Sequence, residues 1–242
     1  MRVISRVILA AIVLLLAACA AAPVSQPFNR QAAAVSDITV LPMRHSEIDL
    51  TIVNNPGNHF GLIGLAIVES NRVPKRNWLR DALTQRDYDH VEAFRVALTR
   101  ALEDRDYTLH WVPPVMESKS SQVKRHINGQ RKRPGQVETD AQLDVNFGFV
   151  GYAAAGTGDN APYRPTVVLN ARLLSADGKT VLFEETILHN QVFGVPGTPV
   201  VIEPDPAYFY PDFDALEASP DQVAEGMRGA VEAVAVELAR QL

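Results

Sequence analysis

The stretch TVVLNARLLSADGKTVLFEETILH, residues 166–189, decides the fold because it contains two strand patterns and a tight turn. Apolar side chains recur at every second position in both halves, as they do in a strand with one buried face. Asp177 and Gly178, between the halves, accept the positive φ angles of a tight hairpin turn. We therefore predict an antiparallel hairpin. Its inward-facing residues are Val167, Leu169, Ala171, Leu173, Val181, Phe183 and Ile187.

Another strand pattern precedes the hairpin at residues 143–149, and it completes a unit of three successive antiparallel strands. Its alternating apolar residues are Leu143, Val145, Phe147 and Phe149. Shorter patterns of the same kind lie upstream. They cover residues 37–42, 47–53 and 107–112; Pro42 ends the first of these runs and Pro113 follows the last. We expect all of them to belong to one sheet.

Two apolar stretches lack a clear period. Phe60–Val68 indicates a buried or partner-facing helix interrupted near Pro74, with a strand as the alternative because a short apolar run cannot be assigned by period alone. A separate short helix is predicted around Trp78–Leu83. Residues 190–213 are rich in proline and aromatic side chains. They are too apolar for a solvated linker, so we expect an ordered loop that packs on the domain or is held by a partner.

Two amphipathic helices have recognisable starts. Asp89, with Glu92 three positions later, forms a capping box before the first of them. Ser219 and the proline after it mark the start of a terminal helix that reaches Leu242. The order of patterns predicts an α+β fold, with a mixed, largely antiparallel sheet, helices packed on it and a long terminal helix.

The chain begins with the features of a secretory signal. Arg2 and Arg6 precede an apolar run, Val7–Leu16. This run is well short of the roughly 20 residues that a permanent transmembrane helix needs. We therefore predict that residues 1–18 are a signal peptide that is removed.

The run ends in Leu16-Ala17-Ala18-Cys19, which resembles the bacterial lipobox. The resemblance implies cleavage between Ala18 and Cys19 and lipidation of Cys19, whose thiolate is nucleophilic enough to accept a diacylglyceryl group. There are two alternatives to a lipobox: an ordinary signal peptide with a cysteine at its cleavage site, and an amino-terminal membrane anchor. Because Ala20 is not an aspartate, the resemblance to Gram-negative lipoproteins favours the outer membrane, with the domain facing the periplasm.

The rest of the chain is consistent with an exported protein that is stabilised by its hydrophobic core alone. Residues 19–36 are predicted to be the lipidated cysteine and a flexible tether, and residues 37–242 a single α+β domain. Removing residues 1–18 takes away two of the 23 basic residues and none of the 28 acidic ones, which leaves a net charge of −7. This charge argues against a nucleic-acid partner. The single cysteine excludes a disulfide framework within the chain.

Charge is segregated along the sequence. A basic loop is predicted at residues 117–137, whereas residues 180–227 contain no lysine or arginine and many acids. The basic loop offers contacts to an acidic surface of a second copy, giving a homo-oligomer, or to anionic envelope material. Two independently solvated surfaces are the alternative. The candidate contact residues are Lys124, Arg125, Arg131, Lys132 and Arg133.

The block Val145–Leu188, with VVLNARLL, DGK and VLFEE in order, resembles envelope lipoproteins built on the TolB amino-terminal, anticodon-binding-like fold. The segment Gly61–Arg72 resembles a stretch of other lipoproteins of undefined role. These resemblances imply an assembly or accessory role at the outer membrane, within a complex of envelope proteins. They bring no catalytic residues.

The sequence contains only weak matches to phosphate-binding, metal-binding or catalytic motifs. The run Gly151–Gly158 lacks the Gly-Lys-Ser/Thr of a phosphate loop and is better explained as a hairpin loop. A metal site built from His45, Glu47 and His59 is a minor alternative to no metal. We expect no cofactor and no enzymatic activity. The alternative function is a periplasmic enzyme or ligand-binding protein that acts on cell-wall glycan.

Overall fold

The structure, a computed structural model, describes residues 25–45, 47–53, 61–113, 115–116, 135–155 and 162–242. For Arg44 and for residues 61–68 and 115–116 it describes the backbone alone. The predicted signal peptide and most of the predicted basic loop lie outside the described residues.

The described part of the chain contains nine strands, four α-helices and a short 3-10 helix at Pro206–Tyr208. The strands are β1 (Asp37–Val40), β2 (Arg44–His45), β3 (Asp49–Ile52), β4 (Thr108–Trp111), β5 (Val115–Met116), β6 (Ala141–Ala154), β7 (Tyr163–Ser175), β8 (Val181–His189) and β9 (Val200–Ile202). The helices are α1 (Gly61–Thr84), α2 (His90–Glu103), α3 (Phe213–Glu217) and α4 (Pro220–Gln241). The predicted α+β class, with a long terminal helix, is confirmed.

The long strands β6, β7 and β8 form the antiparallel centre of one mixed sheet, whose order is β4-β1-β6-β7-β8-β9. The predicted hairpin is therefore present, and Gly178 in its turn has a φ of 69°. The short strands β1, β2 and β3 lie one after another along the other edge of β6 and run parallel to it. Strands β4 and β9 extend the sheet with further parallel pairs.

Alternate residues of the sheet and one face of each long helix form a continuous hydrophobic core. The predicted inward residues of β7 are at most 1% exposed. The predicted stripe of α4 is equally buried, and burying one such aliphatic side chain contributes about 1.5–3 kcal/mol. The members of that stripe are Val223, Met227, Ala230, Val231, Val234 and Leu238.

In β6, the set of residues that points into the core shifts by one position at a β-bulge. Its register with β7 shifts between Phe147 and Phe149, because Gly148 is the extra residue of the pair. After the bulge Val150 and Tyr152 point into the core, whereas Phe149 is half-buried and packs against Phe193 with ring centroids 4.9 Å apart. The prediction that Phe149 continues the inward face was therefore wrong.

The helix alternative for the apolar stretch near residue 61 is confirmed, but the predicted interruption at Pro74 is wrong. Helix α1 continues through Pro74, and the predicted short helix around Trp78 is its second half. Ion pairs with β3 flank the proline, with Arg72 at 3.9 Å and Arg76 at 3.8 Å from the Asp49 carboxylate. These contacts, and the burial of Leu79 beyond them, support helix geometry that proline disfavours.

Two segments predicted to lack regular structure lie along the domain. Residues 190–213 pack on it through β9 and a bridge between Tyr163 and Tyr210, which confirms the expected ordered loop. The predicted tether also contacts the domain from residue 25 onward. Gln26 exchanges backbone hydrogen bonds with Glu184 at 2.9 and 3.0 Å, and Phe28 packs against the core.

Candidate functional site

Helices α2 and α4 lie side by side and run in the same direction. The hydroxyl of Tyr88, just before α2, donates a hydrogen bond to the carbonyl of Met227 in the first half of α4, at 3.1 Å. The hydroxyl of Tyr107, just after α2, donates to the carbonyl of Leu242 at 2.8 Å. Burial raises the pKa of Tyr88, which keeps its hydroxyl protonated as a donor at neutral pH. Two buried hydrogen bonds therefore fix the relative height of the helices.

A groove of about 750 Å³ lies between α2 and α4 on their solvent side. The core-facing residues of α2, such as Phe94 and Leu98, are completely buried. The positions next to them on the helix carry small side chains, which leave space between the two helices. These small residues are Ala93, Ala97 and Ala101 of α2, and Ala239 of α4 adds to them.

The rim of the groove combines apolar and charged side chains. Val96 is 55% exposed and Val236 is 54% exposed, on opposite sides of the groove. Together with the alanines they make most of the exposed lining of the groove apolar. The charged residues of the lining are Glu92, Arg100, Asp104, Arg105, Arg228, Glu232 and Arg240.

Some of these charges have partners on their own helix. Arg95 donates two hydrogen bonds to the Glu92 carboxylate, at 2.6 and 2.7 Å, and these hydrogen bonds lower the pKa of Glu92. Arg240 makes the same contact with Glu237 and lowers the pKa of that carboxyl. Such exposed pairs contribute little to stability, because water screens their attraction, so they can exchange for other partners.

Five further rim charges have no ion-pair partner in the described ranges: Arg100, Asp104 and Arg105 at the end of α2, and Arg228 and Glu232 on α4. A charge left without a protein partner at the rim of an apolar groove is available to a bound molecule. The groove can therefore bind a partner that presents apolar side chains in its middle and charges of both signs at its ends.

The residues considered for a metal site are engaged in other contacts. The Glu47 carboxylate lies 2.6 Å from the Arg80 guanidinium, and the His45 ring packs against His90 with centroids 5.3 Å apart. His59 lies outside the described residues. Within the described ranges, no group of three histidine, cysteine, aspartate or glutamate side chains could hold a metal ion.

The face of β6 that points away from the helices carries buried polar side chains. Asp144, 5% exposed, lies 3.2 Å from the Arg172 guanidinium on β7. The amide of Gln142 donates hydrogen bonds to the carbonyls of Gly135 and Ala176, both at 2.7 Å. These contacts join neighbouring strands and the preceding segment, which is a structural role.

The residues singled out from the sequence are not part of this groove. Ala18 and Cys19 lie outside the described residues, so the lipidation site stays a prediction. The same holds for the candidate contacts of the basic loop, Lys124, Arg125, Arg131, Lys132 and Arg133. Sequence reasoning missed the groove, although a signal was present, since Val96 and Val236 are apolar residues off the core stripes of their helices.

No protein-family model matches the sequence, and no curated protein matches it. None of the helices in the described ranges has the length and apolar character needed to cross a bilayer. With no matching family or curated protein, we infer the function from the contacts within the fold itself.

Three solved structures share weak similarity with the fold. A DUF330-family protein from Xanthomonas campestris is 16% identical, with a TM-score of 0.32 and a match covering 61% of this chain and 58% of its own. Lipoprotein GNA1162 from Neisseria meningitidis is 13% identical, with a TM-score of 0.26 and coverage of 63% and 81%. A homolog of a neuraminyllactose-binding hemagglutinin from Helicobacter pylori is 11% identical, with a TM-score of 0.31 and coverage of 90% and 88%. At TM-scores this low, the similarities carry no argument about function and assign the chain to no family.

Proposed function

We propose that this protein is a bacterial envelope lipoprotein, anchored in the outer membrane through lipidated Cys19, whose domain assists an assembly or secretion complex without catalysing a reaction. The observation that carries the proposal is the tetrapeptide Leu16-Ala17-Ala18-Cys19 directly after a basic start and an apolar run. Several acyl chains on one cysteine give stable anchoring, where a single chain would be marginal.

The docked segment after Cys19 supports a short connection between membrane and domain. Gln26 is already hydrogen-bonded to the exposed edge of β8 at Glu184. Seven residues of fully extended chain reach at most about 25 Å. A domain held this closely is confined to the membrane surface, where other envelope proteins are within its reach.

The groove between α2 and α4 supports an accessory role for the domain. Its alanine floor and exposed valines suit the side chains of another protein, and the charges at its rim add orientation. A glycan-binding cleft would instead be expected to present several polar groups converging on one point. We therefore favour protein binding over the glycan-acting alternative.

The anchor is tested by metabolic labelling with radioactive palmitate in a Gram-negative host, followed by separation of the two membranes. The wild-type chain should be labelled and found in the outer membrane, and Cys19→Ser should lose the label. Ala20→Asp should keep the label but move to the inner membrane, whereas Ala21→Ser should behave as wild type. A label that persists in Cys19→Ser, or an unlabelled wild-type chain, would contradict the anchor.

The accessory role is tested by mild crosslinking and affinity purification from intact envelopes. Wild type should capture specific envelope proteins or further copies of itself, and Cys19→Ser should lose them. A monomer without partners in both forms would argue for the glycan alternative, which binding to peptidoglycan fragments then tests directly.

A further inference from the structure

The rims of the groove repeat one charge pattern. In each helix a glutamate, an exposed valine and an arginine follow at intervals of four residues, which places them on one helix face. The α2 triplet is Glu92, Val96 and Arg100, and the α4 triplet is Glu232, Val236 and Arg240. Both triplets have the same direction because the two helices are parallel.

The two valines line the same groove, one on each helix. Tyr88, just before α2, is hydrogen-bonded to Met227 of α4, and Val96 follows Tyr88 by eight positions while Val236 follows Met227 by nine. A line drawn across the groove through both valines therefore crosses α2 and α4.

We propose that a second copy of this chain docks on the groove, related by a two-fold axis along that line. Such an axis stacks α2 on α2 and α4 on α4 of the second copy, in antiparallel orientation. Each valine then meets its own equivalent, and each glutamate meets the arginine of the same triplet in the other copy. The surface is self-complementary, as an isologous interface requires.

The other two-fold arrangement is disfavoured by the same charges. An axis parallel to the helices would stack α2 on α4 of the second copy in parallel orientation. Glu92 would then lie near Glu232, and Arg100 near Arg240, so that like charges face each other at both ends. The pattern therefore selects one orientation as well as permitting contact.

The expected affinity is low, which suits an anchored protein. Helix α2 is about 21 Å long, and over that length the two helices, each about 10 Å wide, present roughly 400 Å² per copy, below the roughly 800 Å² per partner of a stable complex. Confinement to a membrane raises the effective concentration of the second copy. This part of the argument rests on the proposed lipid anchor, whereas the groove and its charges do not.

Disulfide crosslinking in intact envelopes tests the interface with the full chain. Val96→Cys and Val236→Cys each place one thiol beside the proposed axis, and Val112→Cys is the control, an exposed valine outside the groove. The first two variants should form covalent homodimers, and the control should remain monomeric. Absence of dimer in both groove variants, crosslinking to a different protein, or equal dimer in the control would overturn the proposal.

A wild-type chain that forms dimers through Cys19, its only natural cysteine, would have a free thiol there. That result would contradict the lipid anchor. The groove would still be judged by comparing Val96→Cys with Val112→Cys in a Cys19→Ser background. Failure of the anchor and failure of the interface therefore give different results.

Charge reversal tests the orientation. In the Val96→Cys background, Arg100→Glu sets like charges against each other at both ends of the α2 contact and should lower the dimer yield about tenfold. Adding Glu92→Arg restores opposite charges and should restore the yield, although it breaks the Glu92–Arg95 pair. Glu103→Arg, outside the groove lining, is the control. An unchanged yield in Arg100→Glu, or no recovery in the double variant, would overturn the antiparallel arrangement.

Discussion

Two glycines of α4 allow a matched test of the packing around this helix. Gly226 is buried, and a Cβ atom built there would lie 2.7 Å from the Tyr152 hydroxyl and 2.9 Å from Cγ of Tyr208. Gly229, three residues later, is exposed, and its Cβ atom would meet nothing within 4 Å. Substituting alanine at each position therefore adds the same methyl group to the same helix in two different surroundings.

The two substitutions share one favourable effect and differ in one cost. Alanine is better than glycine in a helix interior by about 0.8–1.0 kcal/mol, so Gly229→Ala should raise the free energy of unfolding by that amount. In Gly226→Ala the gain is offset by overpacking, which typically costs about 1–3 kcal/mol. The Tyr152 ring cannot move away cheaply, since it is completely buried and its hydroxyl donates a hydrogen bond to the Val223 carbonyl at 3.2 Å.

The measurement is chemical and thermal unfolding of the purified protein, wild type against both variants. Gly226→Ala should be less stable than Gly229→Ala by about 1–3 kcal/mol, and each kcal/mol corresponds to about 2–4 °C in Tm for a chain of this size. Adding Tyr152→Phe removes the nearest clashing atom and should cost less in Gly226→Ala than in wild type. Equal stabilisation by both glycine substitutions would refute the packing described around Gly226.

Two further predictions concern a helix cap and a buried histidine. Asp89→Ala removes the carboxylate that accepts hydrogen bonds from the first-turn amides of α2, and denaturant unfolding should show a loss of about 1 kcal/mol. Burial lowers the pKa of His189 below 6.5, despite its hydrogen bond with the Pro165 carbonyl. The unfolded chain therefore binds this proton more readily, and stability should fall as pH decreases below 6.5, by up to about 1.4 kcal/mol per pH unit. His189→Asn should show a smaller fall in the same titration, and an unchanged slope would contradict this assignment.

Local patterns predicted the centre of the fold because the centre is built from long, regular elements. The alternation of β7 and β8 and the Asp177–Gly178 turn each specify geometry within a few residues. Strands β2, β5 and β9 were missed because two or three residues cannot display a period. The bulge at Gly148 was missed for a different reason, since it depends on how β6 pairs with β7.

The interruption expected at Pro74 shows where a local rule loses to tertiary contacts. Proline disfavours the helix interior, but the flanking arginines bind Asp49 and the following leucines are buried. No feature within the helix sequence predicts the contact with this distant aspartate. Similarly, Asp89 caps α2 as predicted, but its box partner Glu92 instead pairs with Arg95.

The candidate site could be recognised only once two distant helices were placed side by side. Val96 and Val236 are far apart in the chain, and each alone is an ordinary exposed valine. They line one groove because the tyrosine hydrogen bonds before and after α2 hold the two helices side by side. The repeated glutamate, valine and arginine spacing was visible in the sequence, but without the parallel packing it had no geometric meaning.

The two edges of β6 differ in how they can open. Along one edge β7 pairs with it from end to end, so that neighbouring hydrogen bonds support one another. Along the other edge, contact is divided among β1, β2 and β3, with β2 matched to it only at Asn146. Detachment of β3 near Gly151 therefore leaves the β1 contacts intact, so the hydrogen bonds along this edge can open in separate sections. Along the β7 edge, the amide protons exchange only when the whole hairpin unfolds.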